Sequence, residues 1–106
     1  MDPPFRVRLS ESAQADLAEI WTWLAAEVSD AVATRFVSEL LAALKPLETF
    51  PLGGSMRPTL AVGLRVVFHA HHALYYQVAG KEVVVIRVLH GARDASAIEA
   101  EGGFRR

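Results

Sequence analysis

The run Val83-Val84-Val85-Ile86-Arg87-Val88-Leu89-His90-Gly91-Ala92-Arg93-Asp94 limits what this chain can fold into more than any other stretch. It opens with four β-branched apolar residues in a row, the composition of a strand fit for the middle of a sheet. Arg87 interrupts that strand. A guanidinium in so apolar a setting is costly to bury unless it is paired or opens onto a groove. Gly91 then allows a turn, so the strand ends beside a cluster of His90, Arg87 and Arg93.

The residues upstream supply helices to cover such a strand. Phe5, Val7 and Leu9 alternate with Arg6 and Arg8 and predict a short first strand over residues 4–9, with Pro3 and Pro4 placing it at an edge or a start. Ser10 or Ser12 can cap a helix in which Ala13, Leu17, Ile20, Trp21, Leu24 and Val28 recur every three or four residues and form one apolar stripe. Ser29-Asp30 breaks it and caps a second helix. Ala33, Phe36, Val37, Leu40, Leu41, Leu44 and Leu47 make that helix's apolar side, which ends near Phe50-Pro51 because proline disfavours helix in the residue before it. The two helices form an antiparallel hairpin.

After a loop over residues 51–62 carrying Pro51, Gly53, Gly54 and Pro58, the hydrophobic period changes from helix to strand. Residues 64–69, 73–78 and 82–90 are three strands joined by connections short enough for hairpins. The order β-α-α-β-β-β predicts an α+β fold in which an N-terminal helical hairpin packs on one face of a mainly antiparallel sheet. The other face is then left free for the basic residues. Tyr75 and Tyr76 point to opposite sides of one strand, one in the core and one on the free face.

Composition narrows the function classes. A chain of 106 residues with 52% apolar residues is expected to form a single domain over 1–106, with a core of about 5–96 and a tail at 97–106. It has no cysteine, which removes disulfides and thiolate zinc sites and suits a reducing cytoplasm. No signal peptide or membrane-spanning segment is expected. The net charge of −1 is unevenly spread. From Ser10 to Phe50 seven acids face two bases, whereas from Arg57 to Arg93 five bases face Glu82 alone, giving the second half a positive field for an acidic partner or phosphate. His69 and His71 would share a strand face and reach one metal ion, but no clear third and fourth ligands accompany them, so no metal site and no cofactor is expected. Trp21 and Trp23 cannot both sit at the centre of one helix face; Trp21 reads as core, and Trp23 as exposed or in contact with a second subunit.

Four stretches then carry a resemblance: Ala15-Asp16-Leu17-Ala18-Glu19-Ile20-Trp21, Leu47-Glu48-Thr49-Phe50-Pro51-Leu52-Gly53, Gly63-Leu64-Arg65, and Ile86-Arg87-Val88-Leu89-His90-Gly91-Ala92-Arg93-Asp94. In order and spacing they resemble the ParE and RelE superfamily of toxins from type II toxin-antitoxin modules, and the last resembles the ParE branch. The resemblance implies the RelE/ParE-like fold, a role in plasmid stabilisation, and a cognate ParD-like antitoxin in a hetero-oligomer. It also implies DNA gyrase as a target that is bound and not cut, and any DNA binding would come through the antitoxin.

A second branch of the superfamily, similar to RelE, cleaves mRNA in the ribosome. That chemistry needs a base, an acid and cations around the scissile phosphate. Arg65 and Arg87 are the candidate phosphate clamps and His90 the candidate acid or base; the two lysines, Lys45 and Lys81, fall on the second helix and in a turn, so the nuclease set is incomplete. No catalytic residue is therefore assigned. The candidate partner-binding residues are Arg65, Arg87, His90, Arg93 and Trp23, with Arg87 alternatively paired to Asp94 or to a helix acid. Arg93-Asp94 is the likelier pair to be structural. A third role, a toxin-fold protein that only holds an antitoxin, stays open beside the other two.

Overall fold

The computed structural model describes residues 4–91 together with Gly103 and Phe104. Strand β1 (Arg6–Leu9) leads into helices α1 (Glu11–Glu27) and α2 (Asp30–Ala42), followed by a 3-10 turn at Lys45–Glu48 and strands β2 (Ser55–Met56), β3 (Arg65–His69), β4 (His72–Ala79) and β5 (Glu82–His90). The five strands form one sheet in the order β1-β5-β4-β3-β2, antiparallel except where β1 runs parallel to β5. This is the α+β fold expected, with the valine-rich strand flanked on both sides by other strands.

Each helix starts at a serine. The Ser10 hydroxyl accepts from the Ala13 amide at 3.0 Å, and the Ser29 hydroxyl accepts from the Val32 amide at 3.1 Å, each satisfying a first-turn N–H that lacks a helical partner. Helix α2 stops at Ala42, earlier than the expected end near Phe50. Pro46 has no amide hydrogen and biases Lys45 away from α geometry, so Leu44 and Leu47 enter the core from a 3-10 turn instead. The short strand β2 lies inside the expected 51–62 loop; two residues carry no readable period. Val28 and Leu41, placed on apolar stripes by spacing, are exposed, because the first caps α1 and the second points away from the sheet-facing side of α2.

Apolar residues cover the sheet on both faces. On the helix side, Ala13, Leu17, Leu40, Leu44 and Leu47 pack against Leu74, Tyr76, Val83, Val85 and Val88. On the other side Leu64, Val66, Ala73, Tyr75, Val84 and Ile86 pack with Phe104, and Leu60 and Ala61 close over them. The expected free face is thus a second small core. Its covering includes Phe104, from the tail that carries no readable motif, whose ring centroid lies 4.8 Å from that of Tyr75. Both tyrosines are consequently buried, at 1% and 0% exposure, instead of one being open.

A bulge in β5 sets which side chains reach which core. Tyr76 pairs with Val85 but Tyr75 pairs with Arg87, so Ile86 is the extra residue. Before the bulge Val83 and Val85 face the helices; after it the parity moves by one and Val88 does.

The same region is where β1 runs out. Its last pair is Leu9 with Val85, and helix α1 then takes over the exposed edge of β5. The Ser10 amide donates to the Val85 carbonyl at 2.9 Å, and the Ser10 hydroxyl donates to the Ile86 carbonyl at 2.9 Å. One helical turn on, Asp16 accepts the Val88 amide at 2.9 Å on Oδ2, and its two carboxylate oxygens accept Arg87 Nε at 2.8 Å and Nη2 at 2.9 Å. Asp16 is 7% exposed, so its charge is desolvated and held by three charge-assisted or buried donors.

Removing that carboxylate takes away both contacts to Arg87 and the acceptor of a buried amide. Asp16→Ala is expected to lower unfolding free energy in urea by roughly 3 kcal/mol, and Asp16→Asn by less, since the amide oxygen still accepts from Val88. A separate close approach occurs at Gly54, where a Cβ would fall 2.6 Å from the Tyr76 hydroxyl and 2.8 Å from the Val66 carbonyl. Gly54→Ala is therefore expected to cost about 1–3 kcal/mol by overpacking, seen as a lowered midpoint in thermal or urea unfolding.

Candidate functional site

A groove of about 390 Å³ opens where the helical hairpin meets one end of the sheet. Helix α1 presents Glu19, Ile20, Trp23 and Leu24; α2 presents Val32 and Phe36; His72 of β4 and His90 of β5 close the end. The helical period explains the first two walls: Ile20, Trp23 and Leu24 follow one another at three- and four-residue steps, as do Val32 and Phe36. Trp23 is 63% exposed at the rim. Trp21, expected in the core, is half-buried between the helices, where its indole N–H donates to the Thr34 hydroxyl at 3.0 Å.

The end wall is built by hairpin register. His72 pairs with His90 across β4 and β5, and a two-residue connection, Ala70-His71, joins β3 to β4 with Ala70 at a left-handed φ of 53°. The Gly91 amide donates to the His71 carbonyl at 2.6 Å, tying the end of β5 to that turn, and Gly91 itself has a φ of 72°. His72 and His90 ring centroids are 5.0 Å apart. Burial first, then the neighbouring His90, His69 and His71, push the His72 pKa below the ordinary histidine value, which keeps it neutral at pH 7.

The residues singled out from sequence divide into two groups. His90 and Trp23 both line the groove. Arg65 and Arg87 do not join them, nor each other. Arg65 pairs in register with Tyr76, which packs toward the helices, whereas Arg87 pairs with Tyr75, which packs on the opposite side. Arg65 donates from Nη1 to the Leu52 and Gly54 carbonyls at 3.0 Å each and braces the loop before β2. Arg87 is engaged by Asp16, the helix acid among the partners considered. Arg93 and Asp94 lie outside the described residues. Burial raises the pKa of both Tyr75 and Tyr76, so neither phenol is ionised near neutrality. Among the described residues no group of three or more His, Cys, Asp or Glu is placed to hold a metal ion.

Sequence reasoning passed over Asp16, Phe36 and His72. Asp16 stands three residues after Ala13 and four before Ile20, an acid on the apolar stripe, and a charge at such a position signals a buried pair. His72 was attributed to a turn, and only the two-residue connection Ala70-His71 puts it on a strand facing the helices.

Among the described residues no helix is long and apolar enough to cross a membrane. The family model for the ParE toxin of the type II toxin-antitoxin system parDE matches residues 7–95. Toxin ParE1 of Caulobacter vibrioides is 34% identical over 90 residues, covering 85% of this chain and 93% of that protein. Among solved structures, the chromosomal ParDE TA system from P. aeruginosa is similar with a TM-score of 0.72 and 22% identity, covering 83% of this chain and 97% of that one. The toxin-antitoxin complex RelBE2 from Mycobacterium tuberculosis is similar with a TM-score of 0.62 and 24% identity, covering 87% and 99%. These two likenesses concern the fold. With the matched family model and the curated relative, they accompany a firm assignment: the chain belongs to the ParE toxin family of type II toxin-antitoxin systems.

Proposed function

We propose that this chain is the toxin of its module, that it inhibits DNA gyrase in the cytoplasm by binding, and that a ParD-like antitoxin holds it inactive by seating an apolar helical segment in the α1–α2 groove. The observation that carries the antitoxin part is the groove itself: Ile20, Trp23, Leu24, Val32 and Phe36 form an open apolar trough between two helices, the shape that takes the apolar face of a third. Any operator binding belongs to the antitoxin, and the pair is a hetero-oligomer.

Binding is favoured over RNA cleavage because the three candidate nuclease groups are dispersed. A 2′-hydroxyl attack needs base, acid and cation around one phosphate. Here Arg65 braces a loop, Arg87 is held by Asp16, and His90 stands at the end of the groove. Their register puts the two guanidinium groups on strand positions facing opposite sides.

Purified toxin added to gyrase is expected to abolish supercoiling while mRNA in an in-vitro translation reaction stays intact. Cut mRNA that becomes intact with His90→Ala would instead make it a RelE-type ribonuclease, and silence in both would leave an antitoxin-holding homologue. Trp23→Glu puts a carboxylate into the apolar trough and is expected to weaken antitoxin binding by roughly 10- to 100-fold, measured by calorimetry with the product of the neighbouring gene.

A further inference from the structure

All four histidines of the chain, His69, His71, His72 and His90, meet at the end of the groove. They come from β3, the β3–β4 turn, β4 and β5, and they surround one side chain of α2. The Phe36 ring centroid lies 5.1 Å from that of His72 and 6.0 Å from that of His69, while His90 stands 5.0 Å from His72 and 6.4 Å from His71. The Nδ1 atom of His72 is buried with no hydrogen-bond partner. Neutral rings suit this packing. Charged ones do not, because every proton added lies within a few ångströms of other groups that titrate in the same range.

We propose that this corner is a proton-sensitive latch on helix α2: neutral histidines hold Phe36 against the end of the sheet, and protonation drives the rings apart and loosens that wall of the groove. The latch is independent of what occupies the groove. Few opposite charges are at hand to neutralise it. From α1 the groove-lining acid is Glu19; from α2 the lining residues Val32 and Phe36 are apolar, and Arg35 and Glu39 on that helix are exposed. On β5, Arg87 is engaged with Asp16. The groups that act on the charge of His72 are the other three histidines, and each disfavours it.

The sign follows from linkage. The His72 pKa is lower in the folded chain than in the unfolded one, so its contribution to stability is complete above the ordinary value of about 6.5 and is lost as pH falls below it. Unfolding in urea at pH 7.5 and 5.5 should show a roughly tenfold larger unfolding constant at the lower pH. His72→Phe keeps a ring and removes the proton site, and should flatten that dependence. A two-dimensional NMR titration of the wild-type chain over the same range reads the latch without a variant. The amides of α2 around Phe36 should shift together with the histidine ring signals. Stability that does not change over this interval, a His72→Phe variant with the wild-type slope, or histidines that titrate while α2 amides stay still would each overturn the latch.

Discussion

A carboxylate takes over where a strand ends. β1 pairs with β5 only as far as Val85, and beyond that point β5 would present an open edge and a bulge to solvent. Ser10 and Asp16, the cap and second turn of α1, satisfy the Ile86 carbonyl and the Val88 amide in its place, and Asp16 gathers Arg87 in the same grip. Because α1 is anchored at two points on β5, the direction of the helical hairpin across the sheet is set there. Apolar packing from Leu17, Leu40 and Leu47 supplies most of the favourable free energy, at about 1.5–3 kcal/mol for each buried side chain, but it is non-directional. The hydrogen-bonded ion pair supplies the direction.

This changes what the arginine in the valine-rich strand stands for. Its surroundings make it a structural group shared between helix and sheet, with a side chain 21% exposed. The same economy applies to Arg65, whose two carbonyl contacts hold the loop around Gly54 against Tyr76. Two guanidinium groups thus serve the fold. The partner-facing chemistry moves to the groove, where Trp23 and His90 meet Phe36 and His72.

The order of helices and strands was legible in the chain because hydrophobic period changes cleanly at the proline- and glycine-bearing loop, and because Ser10 and Ser29 are strong helix caps. Less legible were features fixed by long-range packing. Nothing local says that β1 pairs parallel with β5, that Ile86 is a bulge, or that Phe104 closes the second face, since each depends on residues far apart in sequence. At the site, Trp23 and His90 were visible by type and position. The partner of Arg87 was visible only as one alternative, a helix acid, and its identity as Asp16 required knowing where β1 stops. The ParE family assignment rests on residues throughout 7–95, not on any one of these contacts.

Native-state hydrogen exchange at the Val88 amide tests most directly whether α1 replaces a strand on β5. That amide donates to a side chain and not to a neighbouring strand, in a place where an edge would otherwise be open. If the carboxylate of Asp16 serves as the missing strand, Val88 exchanges only with global unfolding, as slowly as the amides of the β4–β5 core. Exchange faster by orders of magnitude, with those core amides still protected, would show that α1 only rests on the sheet and would contradict the account.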